Sequence, residues 1–463
     1  MNILIVGNGF DLSHYLPTKY DHFMVAMDAI ENWDSSKGDM GFDDLFGLLY
    51  EKEDYFFGYT KAMYHTDEIK ISVDQVKELK EQLEENVWYQ YFSDHVREVK
   101  TWIDFEQKIE SALALAFKFI KKIHLKFEKY GKIDTTIRNL TKTNSDKDDE
   151  KIYIAELDMN LLNKLELFTV NRAYGAVIES GFGSLPDTRK GFINDNWLHV
   201  KEKSEYGFST EKYISFLNNQ LENFIEVFNL YLELVVRKLL PIGTFCIDSK
   251  DWTEPEKIFS FNYTNTYQRI HDSVKVDYLH GSHGEHQNIV LGVSDLEDES
   301  LKKIKAYGFT KYHQKLFKDT DYLFLDQYKA KILDKNKKEI YLKEQLKSEI
   351  RSSQRNDLGE KIKANTREQK LDLKIVVWGH SLDVSDKDYI IDLFSLNDDM
   401  DRNVRVIVYH FNKAAKFDLL NNLLAILGKD KVEHWMKNKW LQFKENPKIV
   451  PKSAITLDDL PQT

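Results

Sequence analysis

Residues 2–10 read NILIVGNGF and join a short apolar run to a glycine-containing loop. An uninterrupted run of branched apolar residues is typical of a strand that is buried on both faces of a parallel sheet. Glycines directly after such a strand let the backbone approach a phosphate group closely. The stretch therefore predicts the first strand of an α/β sheet, followed by either a nucleotide-binding loop or a tight structural turn.

The loop differs from the dinucleotide fingerprint GxGxxG, because Leu12 stands where the third glycine would be. Asp11 is a further departure, since a carboxylate beside a phosphate is repulsive. We therefore expect Asp11 to bind a ribose hydroxyl or to cap the helix that follows.

Further strand-like runs appear only after a long interval. They lie at 244–247, 258–261, 274–279, 374–378 and 404–409, with one more candidate at 289–293. A helical pattern, which Asp386 could cap, separates the two late runs over 386–394, as in a doubly wound sheet. We predict a Rossmann-like parallel sheet built from discontinuous segments, namely residues 1–30, 242–300 and 372–463.

The intervening segments have helical character. Apolar residues three or four apart run from Phe224 to Leu239 and end before Pro241. Gly and Pro together make up 27 of the 463 residues, about half the usual share, so few turns are expected. We predict an all-helical insertion over 31–241 and a charged, basic helical insertion over 301–371.

Charge is distributed unevenly along the chain. The formal net charge is −11, yet residues 301–372 contain 19 Lys and Arg against 11 Asp and Glu. A basic segment in an acidic protein can face phosphates, an acidic partner or only solvent. Nucleic acid is thus one possible partner, although the solvated helix is the favoured interpretation.

The single cysteine, Cys246, allows neither an internal disulfide nor a cysteine-based metal site. The first residues lack the basic region of a signal peptide, and the most apolar later segment, 224–240, contains four charged residues. These features predict a cytoplasmic protein that does not bind a membrane.

Polar residues follow the predicted strands. Asn262 comes after the run at 258–261, His280 after that at 274–279, and Gly379 after that at 374–378, followed by Ser381 and Asp383. The carboxyl ends of parallel strands meet at one edge of a sheet, so these residues and Gly7 are expected to converge on one ligand. Asn262 and its neighbours are equally typical of a helix cap, and Asp383 excludes the GxSxG nucleophile motif.

Two other groups of polar residues have the composition of a site but not its spacing. His280, His283 and His286 share one loop but have no accompanying ligand pattern, so no metal is predicted. In the segment WIDFE, Asp104 and Glu106 are two residues apart and would diverge by about 200° on a helix, which prevents them from sharing a ligand.

Four motifs together resemble the AbiH family, which is named for bacteriophage abortive infection. They are ILIVGNGFDLSHYLPTKYDHF, FSFNYTNTY, YLHGS and VVWGHSLDVSDKDYI, in that order, and WIDFE is similar to the WxDxE segment of the family. The resemblance implies a role in defence against phage.

The order of motifs is also similar to that of sirtuin-like domains, a more distant resemblance that implies NAD as the ligand. It would place Gly7, Asn8, Gly9, Phe10 and Asp11 at the phosphate loop, and Asn262 beside the nicotinamide ribose. His280 would be the catalytic base, and Gly379, Ser381 and Asp383 would bind the adenosine side. Residues 16–20, with Pro17 and Tyr20, would cover the cofactor, while the missing cysteine quartet argues against deacetylation.

We accordingly expect an abortive-infection effector that hydrolyses NAD to nicotinamide and ADP-ribose. One alternative is a non-catalytic sensor of a nucleotide or phage component, and a second is a nuclease that uses the basic insertion. We also expect a homo-oligomer, with a phage-derived trigger or a second defence protein as a possible partner.

Overall fold

The computed structural model describes most of the chain. The described residues are 1–93, 102–133, 135–139, 152–171, 190–201, 204–296, 298–321, 323–349 and 351–451.

A six-stranded parallel sheet forms the centre of the fold. Its strands are β1 (Asn2–Val6), β11 (Lys257–Ser260), β12 (Val276–Tyr278), β13 (Leu373–Trp378), β14 (Val404–His410) and β15 (Leu441–Glu445). They lie side by side in the order β12-β11-β1-β13-β14-β15. Counted along the chain this is 3-2-1-4-5-6, the order of doubly wound dinucleotide-binding sheets. The α/β class and the parallel Rossmann-like sheet are thereby confirmed.

The register explains why β1 is apolar throughout. Leu4 pairs with Ile258 on one side and with Val376 on the other, so β1 is an interior strand. Ile3 and Ile5 pack into the core on one face of the sheet, while Leu4 and Val6 pack into the core on the other. Because both faces are covered, alternation of apolar and polar residues would bury polar groups.

Helices cover the two faces of this sheet. They are α1 (Asn8–Ser13), α10 (Thr266–Ile270), α15 (Lys387–Ser395), α16 (Lys413–Leu427) and α17 (Lys429–Lys437). The helix predicted over 386–394 is confirmed as α15.

The segment between β1 and β11 is mainly helical, but the prediction of an all-helical insertion is wrong. Its helices are α2 (Tyr20–Glu31), α3 (Phe42–Phe46), α4 (Asp54–Met63), α5 (Val73–Glu85), α6 (Val87–Ser93), α7 (Trp102–Tyr130), α8 (Glu156–Lys164) and α9 (Thr210–Tyr231). Its strands are β2 (Met40–Gly41), β3 (Lys70–Ile71), β4 (Thr136–Asn139), β5 (Ile152–Ile154), β6 (Phe168–Asn171), β7 (Lys190–Ile193), β8 (Leu198–Lys201) and β9 (Ser204–Phe208).

Four of these strands form a separate sheet in the order β5-β4-β7-β6, and β8 and β9 form a hairpin. None of the eight exceeds five residues. A strand of this length shows too few alternations to stand out beside long helices in a sequence pattern.

Two further runs differ from the prediction of a single sheet. The run at 244–247 is a strand, β10 (Phe245–Asp248), but it pairs antiparallel with β16 (Lys448–Pro451) outside the central sheet. The run at 289–293 is not a strand. Its Leu291 donates its N–H to the side-chain oxygen of Gln314 at 3.0 Å and accepts from the side-chain nitrogen at 3.0 Å. The side-chain amide of Gln314 thus makes the two backbone hydrogen bonds that a neighbouring strand would make with Leu291.

The basic segment is helical, as predicted. It contains α11 (Glu299–Lys303), α12 (Lys311–Phe317), α13 (Asp326–Ser348) and α14 (Ser352–Glu368). Among the described residues, none of the helices is both long and apolar enough to cross a membrane.

Candidate functional site

The loops after β1 and β13 meet at the point where the strand order reverses. Gly7 donates its backbone N–H to the carbonyl of Trp378 at 3.1 Å, and Gly9 donates to the carbonyl of Gly379 at 2.8 Å. Gly379 adopts a φ of +74°, and a Cβ at this residue would lie 2.0 Å from the backbone nitrogen of Phe10. The glycines are therefore required for the close packing of one loop on the other.

This contact limits the phosphate-binding role of the first loop. The N–H of Gly9 is bonded to the neighbouring loop, so it is not free to bind a phosphate oxygen. Phe10 is buried and packs edge-to-face on Trp378, with 5.0 Å between the ring centroids. Of the residues predicted at the phosphate loop, Gly7, Asn8 and Asp11 remain open to a ligand.

A cavity of about 350 Å³ opens above these loops. Of the residues predicted from the sequence, the cavity is lined by Gly7, Asn8, Asp11, Tyr20, Asn262, His280, Gly379 and Ser381. The structure thus brings together the four strand ends that were expected to converge. Gly9, Phe10, Pro17 and Asp383 lie outside the lining.

Two of the outlying residues have structural contacts of their own. The carbonyl of Pro17 accepts a hydrogen bond from the hydroxyl of Tyr231 at 2.5 Å. The carboxylate of Asp383 accepts from the backbone N–H of Ser385 at 3.0 Å and caps a short helical turn.

Asn262 connects two of the strand ends. Its side-chain nitrogen donates to the carbonyl of Gly7 at 3.0 Å, and its backbone N–H donates to the hydroxyl of Ser260 at 3.0 Å. Asn262 is 5% exposed, so the amide is fixed inside the protein at the cavity wall. This contact places Asn262 in the site and not at the cap of α10, whose first flanking residue is Asn265.

His280 lies against a carboxylate that the sequence placed at a helix start. Its Nε2 is 3.1 Å from Oδ1 of Asp386, and Nε2 of His380 is 3.4 Å from the other oxygen of that carboxylate. Asp386 does precede α15, but its side chain makes no capping hydrogen bond. Asp386 therefore occupies the cap position of α15, as expected, but its side chain does not cap the helix.

A buried ion pair completes this side of the cavity. Nζ of Lys311 lies 2.8 Å from Oε1 of Glu106 and 4.0 Å from Oδ1 of Asp386. All three residues line the cavity and are buried. The pair joins α7 to α12, two helices that belong to different segments outside the central sheet.

Burial and these charges alter the protonation of the site. Burial and the nearby Lys315 lower the pKa of His280 to about 3, so the imidazole is neutral at pH 7. Burial raises the pKa of Glu106 to about 7, although Lys311 opposes the rise. Burial would raise the pKa of Asp386 too, but Lys311 and His280 outweigh it and hold that pKa well below its usual range.

Asp11 is a second buried carboxyl group at the cavity. It accepts a hydrogen bond from the hydroxyl of Thr264 at 2.6 Å. Burial raises the pKa of Asp11 to about 6, despite the opposing bonds from Thr264 and Thr266.

Several buried polar atoms at the cavity have no hydrogen-bond partner among the described residues. They are Oδ1 of Asp11, Oγ1 of Thr18 and the hydroxyl of Tyr20. An unsatisfied buried polar atom costs about 1–3 kcal/mol, so a cluster of them indicates a polar ligand or ordered water.

Family membership follows from a match over nearly the whole chain. The model of the family described as bacteriophage abortive infection AbiH matches residues 3–411, which include every loop of the cavity described above. The chain belongs to the AbiH family. No curated protein and no solved structure matches it. AbiH membership gives the protein a role in abortive infection by phage.

Three AbiH residues at the cavity were not selected from the sequence. Glu106 belongs to the segment WIDFE. The side chains of Asp104 and Glu106 were expected to point in different directions on a helix, and of the two only Glu106 lines the cavity. Asp386 was present in VVWGHSLDVSDKDYI but was interpreted as a cap. Lys311 lies in the basic segment with no motif around it, and only the folded chain shows its contact with Glu106.

The described part of this AbiH chain also contains a group with metal-ligand geometry, Asp21, His22 and Glu53. Nζ of Lys19 is bonded to the carboxylate of Glu53. An ammonium group already occupies the position that a cation would take, so the arrangement does not favour a metal.

Proposed function

We propose that the cavity binds NAD and that the protein hydrolyses the bond between nicotinamide and ribose during abortive infection. The observation on which this proposal depends is the position of the cavity. Doubly wound sheets bind dinucleotides at the carboxyl edge where the strand order reverses, and Gly7 and Gly379 flank that point here.

The lining suits the nicotinamide ribose half of NAD. Trp102, Phe228, Phe261 and Tyr263 offer aromatic surface for a flat ring, and the unsatisfied polar atoms offer partners for ribose hydroxyls. A volume of about 350 Å³ lies at the small end of the range for ligand sites. We therefore place nicotinamide ribose inside the cavity and the adenosine half towards Ser381.

Charge favours the same orientation. Asp11, Glu106 and Asp386 supply three carboxyl groups to the cavity, against the lysines Lys19 and Lys311. The nicotinamide ring of NAD is cationic, and positive charge develops on the ribose as the glycosidic bond breaks. Buried carboxylates stabilise such charge, whereas they repel the pyrophosphate.

The reaction adds water across one bond. The bond between C1′ of the ribose and the ring nitrogen breaks, and its electron pair goes to nicotinamide. The water oxygen bonds to C1′, and the water gives up one proton. The products are nicotinamide, ADP-ribose and that proton.

Asn262 and His280 orient the sugar in this proposal. The bond from Asn262 to Gly7 fixes the amide, and the carboxylate of Asp386, 3.1 Å from Nε2, fixes the imidazole of His280. Positioning of this kind lowers the barrier because the ribose is held in a reactive geometry before the bond breaks.

Incubation of the purified protein with NAD, followed by measurement of released nicotinamide, tests the proposal. We expect Asn262→Ala and His280→Ala to lower the rate by at least about 100-fold. His286→Ala is the matched control, since His286 is in the same loop but is exposed and outside the cavity. A wild-type protein that binds NAD without releasing nicotinamide would instead support the non-catalytic sensor.

A further inference from the structure

Glu106 and Lys311 form a buried acid–base pair at the cavity that the orienting roles of Asn262 and His280 do not explain. Their Oε1 and Nζ atoms are 2.8 Å apart, and their side chains are only 10% and 7% exposed. Burial of two charges carries a large desolvation penalty, so an ion pair is an unfavourable way to join α7 to α12. Its position in the cavity wall indicates a chemical use.

Two other ionisable side chains at the cavity, His280 and Asp386, are unsuited to accept a proton at neutral pH. The pKa of His280 is lowered to about 3 by burial and Lys315, so its protonated form is unstable. Asp386 stays ionised, since Lys311 and His280 hold its pKa far below the usual range. An efficient general base has a pKa close to the working pH, and Glu106, with a pKa of about 7, meets this condition.

We propose that Glu106 accepts the proton from the water that attacks C1′ of the ribose, and that Lys311 positions Glu106. This inference rests on the proposed NAD hydrolysis. The water oxygen bonds to C1′, the glycosidic electron pair leaves with nicotinamide, and the water proton moves to the carboxylate of Glu106. Lys311 stabilises the ionised carboxylate before that transfer.

The protonation of Glu106 depends on all the charges that face it. Lys311 favours its ionised form, while Asp386 and Asp383 oppose it. Lys315 and the buried hydroxyl of Tyr263 also interact with Glu106 electrostatically. Lys311 is the closest of these groups and the only one bonded to Glu106, so its removal must raise the pKa of Glu106.

The test is the pH dependence of nicotinamide release. In the wild type, activity should fall as the pH drops below about 7, because Glu106 becomes protonated. Glu106→Gln should lower the rate by about 10²–10⁴-fold. Glu106→Asp should retain part of the rate, and Lys311→Met should move the acidic limb of the profile to higher pH.

Glu222 and Lys318 supply matched controls. Their charged atoms are also 2.8 Å apart, but neither residue lines the cavity. Glu222→Gln should leave both the rate and the pH profile unchanged. The double variant Glu106→Gln with Lys311→Met separates folding from catalysis, because it removes both buried charges together. It should unfold at the wild-type temperature and remain inactive.

The outcomes separate the two proposals. A wild-type enzyme that releases nicotinamide, with Glu106→Gln at the same rate and pH profile, would overturn the role of Glu106 and leave NAD hydrolysis in place. A wild-type protein that releases no nicotinamide would overturn both. A Lys311→Met profile that does not move would contradict the positioning role.

Discussion

Asp11, in α1, lines the cavity and also affects the stability of the protein. One of its carboxylate oxygens is bonded to Thr264, and the other has no partner among the described residues. Burial raises its pKa from 3.8 to about 6. The folded protein therefore binds this proton more tightly than the unfolded chain, so Asp11 lowers stability as the pH rises from about 4 to about 6.

Replacement of Asp11 by Asn should remove this dependence. Relative to the wild type, the free energy of unfolding of Asp11→Asn should rise between about pH 4 and about pH 8. The gain should reach at most about 3 kcal/mol, since one pKa unit corresponds to about 1.4 kcal/mol. Denaturant unfolding at both pH values measures it. If the free energies of unfolding of the two proteins differed by the same amount at both pH values, the raised pKa of Asp11 would be refuted.

Gly379 is the residue at which the packing of the two loops can be tested. Its φ is +74°, and an added Cβ would meet backbone atoms of Gly9 and Phe10. Gly131, directly after α7, has a φ of +71° and nothing within 4 Å of an added Cβ, which makes it the matched control. We expect Gly131→Ala to cost about 1–2 kcal/mol from the positive-φ backbone alone.

Gly379→Ala should cost about 1–3 kcal/mol more than Gly131→Ala, because overpacking adds to a similar backbone penalty. Thermal or denaturant unfolding of the two variants gives the comparison. Equal costs would mean that the loop after β13 can move away from the first loop freely.

Sequence patterns located some of these residues and not others for a physical reason. Gly7, Asn262, His280 and Gly379 each follow a strand, and strand ends of a parallel sheet share an edge. Glu106 and Lys311 belong to helices outside the sheet, and no spacing rule places such helices over a strand edge. Their contact depends on the packing of the whole chain.

The buried run at 289–293 shows the same limit at the scale of an element. Ile289, Val290 and Leu291 are fully buried, which is what an apolar run predicts. Burial alone does not specify a strand, because the backbone groups of Leu291 are satisfied by Gln314 of α12. The element is a buried loop that fastens α12, the helix of Lys311.

The contribution of this contact can be measured with Gln314→Leu. The variant keeps much of the side-chain volume but leaves the N–H and carbonyl of Leu291 without partners. Each unsatisfied buried group costs about 1–3 kcal/mol, so we expect a loss of at least about 2 kcal/mol in the free energy of unfolding. Gln345→Leu, on the exposed part of α13, is the control and should change little. A loss no larger than that of the control would show that Leu291 finds other partners.

The central strands were predictable and the insertion strands were not. The runs at 374–378 and 404–409 are long, uninterrupted and rich in branched residues, as the interior of a parallel sheet requires. The strands β4 to β7 have three or four residues each and pair with partners distant in sequence. Their stability comes from tertiary packing, which a local pattern does not record.

Considered as a whole, the molecule builds its cavity from parts that are far apart in the chain. The sheet supplies Gly7, Asn262, His280 and Gly379, the long insertion supplies Glu106, and α12 supplies Lys311. Neither the sheet nor the helices alone enclose the site. The cavity therefore depends on both insertions as well as on the sheet.

NAD content in bacteria during phage infection tests the central claim most directly. Cells that express the wild-type chain should lose NAD and accumulate nicotinamide after infection. Cells with equal amounts of the His280→Ala protein should keep their NAD. Protection against phage by the wild-type chain with constant cellular NAD would contradict the account.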